Sequence, residues 1–405
     1  MTEKRTIIIF SLSYYPYVGG AEVAVKEITD RMPEVTFHLI TARLDGALPQ
    51  EEMMGNVVVH RVGWGKKSPT LEELSSFPWY VISKLSYPLL SAIAAYRLHK
   101  KYHIDGGWVI MAYAGFGLAI LGLLSVRIPY LLTLQEGDPL EKVMGRPLLK
   151  PFFFLFKRIF SRAHTVQAIS HYLGTWATEM GYGGEVAIIP NAVDSAHFSS
   201  RSGDQSHVYQ RMKEKKQPGD VWLITTSRLV HKNAIDDVVR ALALLPPHIS
   251  FAVLGVGPDK EKLEALSKEC GVSKRVHFFG YVDHHDLPAC LSLGDIFIRP
   301  SRTEGMGNSF IEAMAAGLPV IATQEGGIAD FLFDEKKNPD KASTGFAVDK
   351  DTPSHIADVV QRILDNPEAT QKTIATAKAM VQKNYTWDSV TVGMRQLFAK
   401  IFEKK

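Results

Sequence analysis

The sequence predicts an α/β protein built from two Rossmann-like, doubly wound domains that face each other across a cleft. Short apolar runs rich in Val, Ile and Phe alternate with amphipathic stretches along the first half of the chain, and the alternation starts again at Val221. Such alternation predicts a parallel sheet with helices on both faces. The chain has 405 residues, enough for two domains that each bury a core of their own.

The first half supplies the elements of one domain. Apolar runs predict strands at 6–12, 35–41, 57–62, 108–113, 129–134 and 186–190, and amphipathic patterns predict helices at 21–32, 78–102 and 117–125. Residues 106–126 carry no charge and are long enough to span a bilayer. Because three glycines interrupt them, we predict a buried strand followed by a buried helix instead of a membrane span.

The second half repeats the pattern. Predicted strands lie at 221–226, 249–254, 276–279, 295–299 and 320–323, and predicted helices at 234–245, 260–270, 287–293, 309–316, 352–364, 372–382 and 390–402. Between the halves, residues 195–220 are polar and rich in Ser and Lys, which favours a linker region.

Composition excludes some classes of protein. Lys and Arg total 46 against 43 Asp and Glu, for a net charge of +3, so a dedicated nucleic-acid binder is not expected. Two cysteines do not make a disulfide framework, and their scarcity fits a reducing compartment. The apolar run 7–10 is too short for a secretory signal. We therefore expect a cytoplasmic protein.

The strongest candidate for a ligand site is the loop 299–309, which joins a predicted strand to a predicted helix. Its two glycines free the backbone to present amide groups, and Asn308 or Ser309 can cap the helix. The helix N-terminus favours an anion such as phosphate. Glu304 and Glu312 flank the loop and can accept hydrogen bonds from sugar hydroxyls. The alternative is a solvated helix with incidental charges.

Two further loops follow predicted strands. In 227–233, Arg228 and Lys232 can supply a guanidinium fork and a point charge to a diphosphate. Near the N-terminus, Gly19 and Gly20 would let backbone amides approach a ligand, although a simple tight turn explains them equally well. This loop is not a Gly-x-Gly-x-x-Gly fingerprint, so a nicotinamide cofactor gains little support.

Together these segments resemble glycosyltransferase family four, whose members have the two-domain GT-B fold. The resemblance covers nearly the whole chain and rests on Gly19-Gly20-Ala21-Glu22, Ile189 to Asp194, Ser227-Arg228-Leu229, Glu304 to Gly317 and Gly326-Gly327-Ile328. It implies an N-terminal acceptor-binding domain (1–195), a linker region (196–220), a C-terminal nucleotide-sugar donor-binding domain (221–384) and a C-terminal helix (385–405) that crosses back to the N-terminal domain.

The resemblance also implies an activity. A sugar would pass from a nucleotide-diphosphate sugar to a glycan, glycolipid or small-molecule acceptor with retention at the anomeric carbon, without a metal or another cofactor, as in polysaccharide or glycolipid biosynthesis. A nucleotide-sugar epimerase of the same fold and a non-catalytic two-lobed sugar-binding protein are the alternatives. The spacing of Glu304 and Glu312 argues against the epimerase, and the lack of a signal peptide against the binding protein.

Roles for individual residues follow from the same resemblance. Glu304 would hold the donor sugar, and Arg228 and Lys232 would neutralise the diphosphate leaving group. Glu312 would accept hydrogen bonds from the ribose. The remaining implied donor-binding residues are Gly19, Gly20, Gln135, Val282, Gly305, Met306, Gly307, Asn308 and Ser309. Gln135 departs from the family, which commonly has a histidine there, so a mechanism that needs an imidazole is in doubt.

Two other patterns are weaker signals. Asp349-Lys350-Asp351 is interpreted as a helix N-cap and not as a metal site. Residues 142–162 hold six basic residues, five phenylalanines and no acid, and could dock on an anionic membrane to reach a lipid-linked acceptor at its inner face. A helix whose phenylalanines face the core is the favoured explanation.

Overall fold

A buried parallel sheet organises each half of the protein. A computed structural model describes residues 4–69, 79–138, 140–145, 150–200 and 203–403. In it the chain divides into two units. The first comprises Met1–Glu136, Leu140–Asn191 and Trp387–Lys405, and the second comprises Gly137–Pro139 and Ala192–Thr386.

The sheet of the first unit has eight strands in the order β3-β4-β2-β1-β5-β6-β7-β8. The strands are β1 (Arg5–Phe10), β2 (Val35–Ala42), β3 (Glu51–Met54), β4 (Val57–Val62), β5 (Gly106–Ile110), β6 (Tyr130–Leu134), β7 (Thr165–Ala168) and β8 (Val186–Ile188). All neighbours pair in parallel except β3 and β4. The strand order reverses between β1 and β5, which is where ligands bind in such sheets.

Helices cover this sheet because each has an apolar side that the strands bury. They are α1 (Gly20–Asp30), α2 (Trp79–Lys101), α3 (Phe116–Leu123), α4 (Leu140–Met144), α5 (Phe153–Ser161) and α6 (His171–Glu179). The uncharged stretch is a strand, β5, followed by a helix, α3, as predicted. In the described parts of the chain, no helix is both long and apolar enough to cross a membrane.

The second unit has a six-stranded parallel sheet in the order β11-β10-β9-β12-β13-β14. Its strands are β9 (Val221–Thr226), β10 (Ile249–Leu254), β11 (Val276–Gly280), β12 (Ile296–Arg299), β13 (Val320–Ala322) and β14 (Phe346–Ala347). Its helices are α7 (Ser195–Ser199), α8 (His207–Lys215), α9 (Ile235–Leu242), α10 (Lys260–Glu269), α11 (Leu287–Leu291), α12 (Asn308–Ala315), α13 (Pro353–Asp365) and α14 (Pro367–Asn384). The order reverses between β9 and β12.

The last helix, α15 (Trp387–Phe402), belongs to the first unit. Its Phe398 ring lies 5.2 Å from the ring of Trp108 on β5, edge to face, and 6.3 Å from that of Phe37 on β2. Gly106 allows Ile401 to pack closely on β5, since a Cβ there would lie 2.7 Å from its side chain. These aromatic contacts tie the end of the chain to the centre of the first sheet.

Several elements differ from the predictions. Strands β3 and β7 and helix α6 were not predicted. Strand β5 ends at Ile110 and not at residue 113, because Met111 adopts a left-handed backbone (φ 62°) that starts a 3₁₀ turn. Within the predicted linker, α7 and α8 are helical; each is capped by the side chain just before it, Asp194 and Ser206 respectively. Residue 78 of a predicted helix, residues 146–149 of the basic segment and residues 201–202 of the linker lie outside the described residues.

Candidate functional site

In the second unit, the loops that leave β9 and β12 meet. The two strands are neighbours in the sheet, and the Arg302 amide donates to the Lys232 carbonyl over 2.7 Å. Lys232 Nζ lies 3.3 and 3.4 Å from the two carboxylate oxygens of Glu304 and also donates to the Gly137 carbonyl at 2.6 Å. The structure thus brings together two residues that are far apart in sequence and were both predicted to contact the donor.

Arg299 is a buried cation that sequence reasoning missed. Its Nη2 donates to Glu304 Oε2 at 3.2 Å, and its guanidinium lies 4.2 Å from the centre of the Phe310 ring. Burial lowers the pKa of Arg299, and the carboxylates of Glu304 and Glu312 oppose this shift. Lys232 and Arg299 therefore both hold the Glu304 carboxylate. The signal in the sequence was a charged residue at the end of the otherwise apolar strand Ile296–Arg299.

Arg302, also missed, joins the two loops. It donates to Asp236 at 2.9 and 3.0 Å, to Asp237 at 3.0 Å and to Asp351 at 2.6 Å. Burial alone would raise the pKa of Asp236, but its hydrogen bonds with Arg302 and Arg240 outweigh burial and lower it. This network connects the loop that carries Glu304 to the segment that follows Lys232.

Helix α12 begins at Asn308, and its N-cap is Gly307. The prediction that Asn308 or Ser309 caps the helix is therefore wrong. Gly307 has φ 88°, in the left-handed region, and a Cβ there would lie 2.6 Å from the ring of Phe310. The Phe310 amide donates to the Gly307 carbonyl at 3.1 Å, and the N-terminus of the helix carries the partial positive charge that attracts an anion. Gly305 and Met306 precede this turn, and both are buried.

The backbone of Glu304 is fixed by the turn that follows β13. The Gly327 amide donates to the Glu304 carbonyl at 2.9 Å. Gly326 (φ 63°) permits this approach, because a Cβ there would lie 2.2 Å from that carbonyl oxygen. The Gly326-Gly327 pair noted in the sequence therefore has a structural use, which is to position Glu304.

Glu312 is the fifth residue of α12 and lies beside the loop that follows β11. His284 Nε2 is 3.4 Å from Glu312 Oε1, and the ring of Phe198 packs edge to face on His284 at 5.2 Å. Val282, predicted to lie by the base, is half-buried in the same loop. The contact of His284 with Glu312 was not predicted from the sequence.

Arg228 is exposed just beyond β9. The backbone that carries it is held by Asn233, whose Nδ2 donates to the Arg228 carbonyl at 2.7 Å and to Ser227 Oγ at 2.8 Å. Asn233 Oδ1 is buried and has no hydrogen-bond partner among the described residues. The loop is therefore rigid at its base, while the Arg228 guanidinium is accessible to a ligand.

In the first unit, the Gly19-Gly20 loop is braced by a carboxylate. Gly19 is the N-cap of α1, and Glu22 Oε2 accepts from its amide at 2.8 Å. Glu22 Oε1 accepts from Ser13 Oγ at 2.5 Å. Gly20 is exposed at the first position of the helix. These bonds account for the geometry of the loop as the start of a helix. The donor-binding role of Gly19 and Gly20 stays a prediction.

Gln135 and Glu136 follow β6, and both are buried. Asn191 Nδ2 donates to Gln135 Oε1 at 3.0 Å. Glu136 Oε1 accepts from the Ala112 amide at 2.7 Å, whereas its Oε2 has no hydrogen-bond partner in the described residues. Burial raises the pKa of Glu136 to about 7. The hydrogen bond from the Ala112 amide lowers the pKa, but its effect is smaller.

The Asp-x-Asp segment does not cap a helix by its side chains, so that prediction is wrong. Thr352 is the N-cap of α13, without a side-chain cap bond. Asp349 instead pairs with Lys337 at 2.7 Å, and Asp351 pairs with Arg302. Among the residues that the structure describes, no three His, Cys, Asp or Glu side chains are grouped as a metal site.

The basic segment 142–162 is partly core. Helix α5 buries Phe156 and Phe160, which pack edge to face at 5.6 Å, as the favoured explanation predicted. Phe152 and Phe154, however, are exposed.

Solved structures with similar coordinates share this architecture. Sucrose-phosphate synthase from Thermosynechococcus elongatus superposes with a TM-score of 0.79 at 20% identity, covering 99% of this chain and all of that one. HepE of Anabaena, solved in complex with UDP-glucose, has a TM-score of 0.75 at 18% identity and covers 97% of this chain and 99% of its own. At these identities the likeness shows the fold.

Sequence comparison finds relatives with named activities. A GDP-mannose-dependent alpha-(1-6)-phosphatidylinositol monomannoside mannosyltransferase of Mycobacterium tuberculosis is 30% identical over 247 residues, which are 58% of this chain. The matched region spans 62% of that relative's length.

Two family models match consecutive halves of the chain. The model described as Glycosyltransferase Family 4 matches residues 18–197, and the model described as Glycosyl transferases group 1 matches residues 209–380. The two matches contain nearly all of the residues described above. The chain therefore belongs to glycosyltransferase family four and has the GT-B fold.

Proposed function

We propose that the protein is a retaining glycosyltransferase that moves a sugar from a nucleotide-diphosphate sugar to a glycan, lipid-linked or small-molecule acceptor. The observation that carries the proposal is the buried Glu304 carboxylate, held by Lys232 and Arg299 beside the N-terminus of α12. Such a donor requires a carboxylate placed for the sugar hydroxyls, next to cations and a helix N-terminus suited to a diphosphate. The named activities of the relatives agree with this class.

The diphosphate is the leaving group, and its stabilisation lowers the barrier. Negative charge develops on the diphosphate oxygen as the glycosidic bond breaks, and preorganised donors are most effective at that oxygen. Lys232 and the exposed Arg228 supply positive charge, and the amides of residues 305–309 supply hydrogen-bond donors. Because the network around Arg302 already holds these loops, little reorganisation accompanies the reaction.

Glu304 and Glu312 have separate tasks. Glu304 accepts hydrogen bonds from the donor sugar and holds its anomeric carbon near the diphosphate. Glu312 lies one and a half helical turns into α12, its side chain is 13% exposed and 3.4 Å from His284 Nε2, and it accepts from the ribose. The acceptor hydroxyl attacks the anomeric carbon on the face that the leaving group vacates, through a short-lived ion pair. Its proton passes to the departing diphosphate oxygen, so the step needs no imidazole at Gln135. No metal is required, since Lys232 and Arg228 provide the charge.

The acceptor is the least defined substrate. The mycobacterial relative is named for a phosphatidylinositol mannoside acceptor, which favours a lipid-linked glycan here too. Peripheral contact with an anionic membrane would bring the enzyme to such an acceptor. In the segment 142–162, the exposed Phe152 and Phe154 are available for that contact.

A nucleotide-sugar panel tests the proposal. The protein is incubated with UDP-, GDP- and ADP-sugars, and nucleotide release, donor isomerisation and thermal stabilisation are followed. A transferase stabilised by one donor releases its nucleotide. Isomerisation without release would indicate the epimerase, stabilisation alone would indicate the binding protein, and no response to any donor contradicts the proposal.

Variants test the site itself. Glu312→Ala should weaken donor binding about 10- to 100-fold, because one charge-assisted hydrogen bond is lost. Glu304→Ala should lower kcat about 100- to 1,000-fold with a smaller effect on KM. Glu269→Ala, an exposed carboxylate on α10, is the matched control and should be unchanged. Unchanged kinetics in both site variants would refute the assignment.

Chelation tests metal independence. Activity measured after dialysis against EDTA should equal that of the untreated enzyme. A loss that Mg²⁺ or Mn²⁺ restores would contradict this part of the proposal.

A further inference from the structure

Helix α2 carries an apolar stripe on its exposed side. Its buried side includes the small or polar residues Ser83 and Ser91 and the tyrosine Tyr87, whose hydroxyl donates to the Ile40 carbonyl at 3.0 Å. The side chains that face outward are instead large and apolar: Ile82 (45% exposed), Leu85 (52%), Leu89 (58%), Ile93 (41%) and Tyr96 (41%). The buried side also holds Ala92, Ala95 and Leu98, so α2 has apolar residues on both sides, whereas a surface helix normally turns charged residues outward.

The five residues form one continuous surface. At 100° per residue they fall within an arc of about 80° and extend about 20 Å along the helix. A sixth exposed apolar residue lies near the start of α2: Trp64 is 66% exposed, and its carbonyl accepts from Ser83 Oγ. Contiguous exposed apolar surface of this kind marks an interaction site. We call these six residues the α2 stripe.

Helix α2 itself contributes only positive charges to the surroundings of the stripe, and the carboxylate of Glu51 on β3 acts on Lys101 at its end. Helix α2, Trp79–Lys101, contains no Asp or Glu. Its C-terminal part exposes Arg97, Lys100 and Lys101, and Lys100 Nζ lies 5.5 Å from the ring of Tyr96. At the other end, Lys66 and Lys67 are exposed just beyond Trp64. The stripe is therefore bordered by cations at both ends.

We infer that the α2 stripe docks the protein on an anionic lipid bilayer. Apolar side chains enter the boundary between headgroups and acyl chains, Trp and Tyr suit that boundary, and Lys and Arg bind acidic headgroups. A dimer in which the α2 helices of two copies pack on each other fits less well. Helix α2 has no carboxylate that could pair with the cations of the other copy. The inference concerns binding alone and does not depend on the transfer activity.

Flotation with vesicles tests it on the full-length protein without donor. Wild type should bind vesicles of phosphatidylcholine with phosphatidylglycerol at low salt and bind pure phosphatidylcholine far more weakly. Leu85→Gln with Leu89→Gln should reduce binding about tenfold, because apolar surface no longer enters the bilayer. The matched control is Leu244→Gln with Val392→Gln, two equally exposed apolar residues elsewhere, and should bind as wild type does.

Three results would overturn the inference: wild type that does not bind anionic vesicles, a stripe variant that binds as wild type, or light scattering that shows a wild-type dimer and a monomeric stripe variant. The last would assign the face to a second copy. The variant Phe154→Ser tests whether the segment 142–162 binds the vesicles instead of α2. If this variant loses binding and the stripe variant does not, the choice of α2 is overturned.

A loss of vesicle binding could also result from misfolding of the stripe variant, so a second variant is tested by a shift in its fluorescence. Leu89→Trp keeps the surface apolar, and its fluorescence relative to wild type should shift to the blue on anionic vesicles. The absence of a shift on vesicles that bind the protein would place the stripe away from the membrane and overturn the inference.

Discussion

Replacing Glu136 by glutamine should stabilise the first unit at neutral and alkaline pH. The carboxyl is buried beyond the end of β6, with one oxygen bonded to the Ala112 amide at 2.7 Å and the other without a partner in the described residues. Burial raises its pKa from 4.5 to about 7. The fold therefore favours the protonated form, which the neutral glutamine side chain imitates.

The pH dependence has a definite sign. Between pH 4.5 and 7, the folded protein keeps a proton on Glu136 that the unfolded chain has released. Stability therefore falls as pH rises through this window, and the penalty is complete above it. The shift of the pKa corresponds to about 3 kcal/mol. Relative to wild type, Glu136→Gln should be nearly neutral at pH 4.5 and up to about 3 kcal/mol more stable at pH 8.

Urea unfolding followed by tryptophan fluorescence at pH 4.5, 6, 7 and 8 measures the difference. The control is Glu179→Gln, which removes the same charge from an exposed position on α6 and should change stability by only a few tenths of a kcal/mol at every pH. A Glu136→Gln variant that is less stable than wild type at pH 8, or that differs equally at all four pH values, would refute the reasoning.

Three further substitutions have defined outcomes. Arg299→Leu should lower the free energy of unfolding by about 3–5 kcal/mol, since Glu304 loses a buried cation; a loss below 1 kcal/mol in urea unfolding would count against that ion pair. Gly307→Ala should cost at least about 1–2 kcal/mol because its φ is 88°, and an unchanged melting temperature would contradict this. Asp334→Asn should cost about 1.5–3 kcal/mol at pH 7 by weakening its 2.7 Å bond from Arg362. Burial alone would raise the pKa of Asp334, but its hydrogen bonds outweigh burial and lower the pKa. The difference in stability between wild type and Asp334→Asn should therefore shrink as pH falls below 4. A difference that stays constant with pH would argue against an ionised Asp334.

The regular elements of the fold were largely predictable from local pattern. Strands β4, β9 and β10 have the predicted bounds because each is a buried apolar run between polar turns. Strand β3 was missed because it is a short edge strand, Glu-Glu-Met-Met, whose alternation is weak. The linker was predicted from polar composition, yet α8 is a helix, with polar side chains outward and Met212 buried.

The candidate site was predictable only in part. Glu304, Glu312 and Lys232 were identified by residue type and by their places after strands, and the structure puts Lys232 against Glu304. Arg299 could not be assigned, because the last residue of a strand can face solvent or the interior, and only packing against Phe310 decides between them. The contact of His284 with Glu312 depends likewise on the approach of the loop after β11 to α12.

By itself, the sequence determined the order of most strands and helices, the position of the glycine loops and the kinds of side chain at the predicted strand ends. These depend on backbone preferences and on hydrophobic periodicity, which act over a few residues. The tertiary structure decided which cation meets which carboxylate, why the pKa of Glu136 is raised and why α2 leaves apolar residues outward. Such properties arise from burial and from distances between segments far apart in the chain, and local pattern does not contain them.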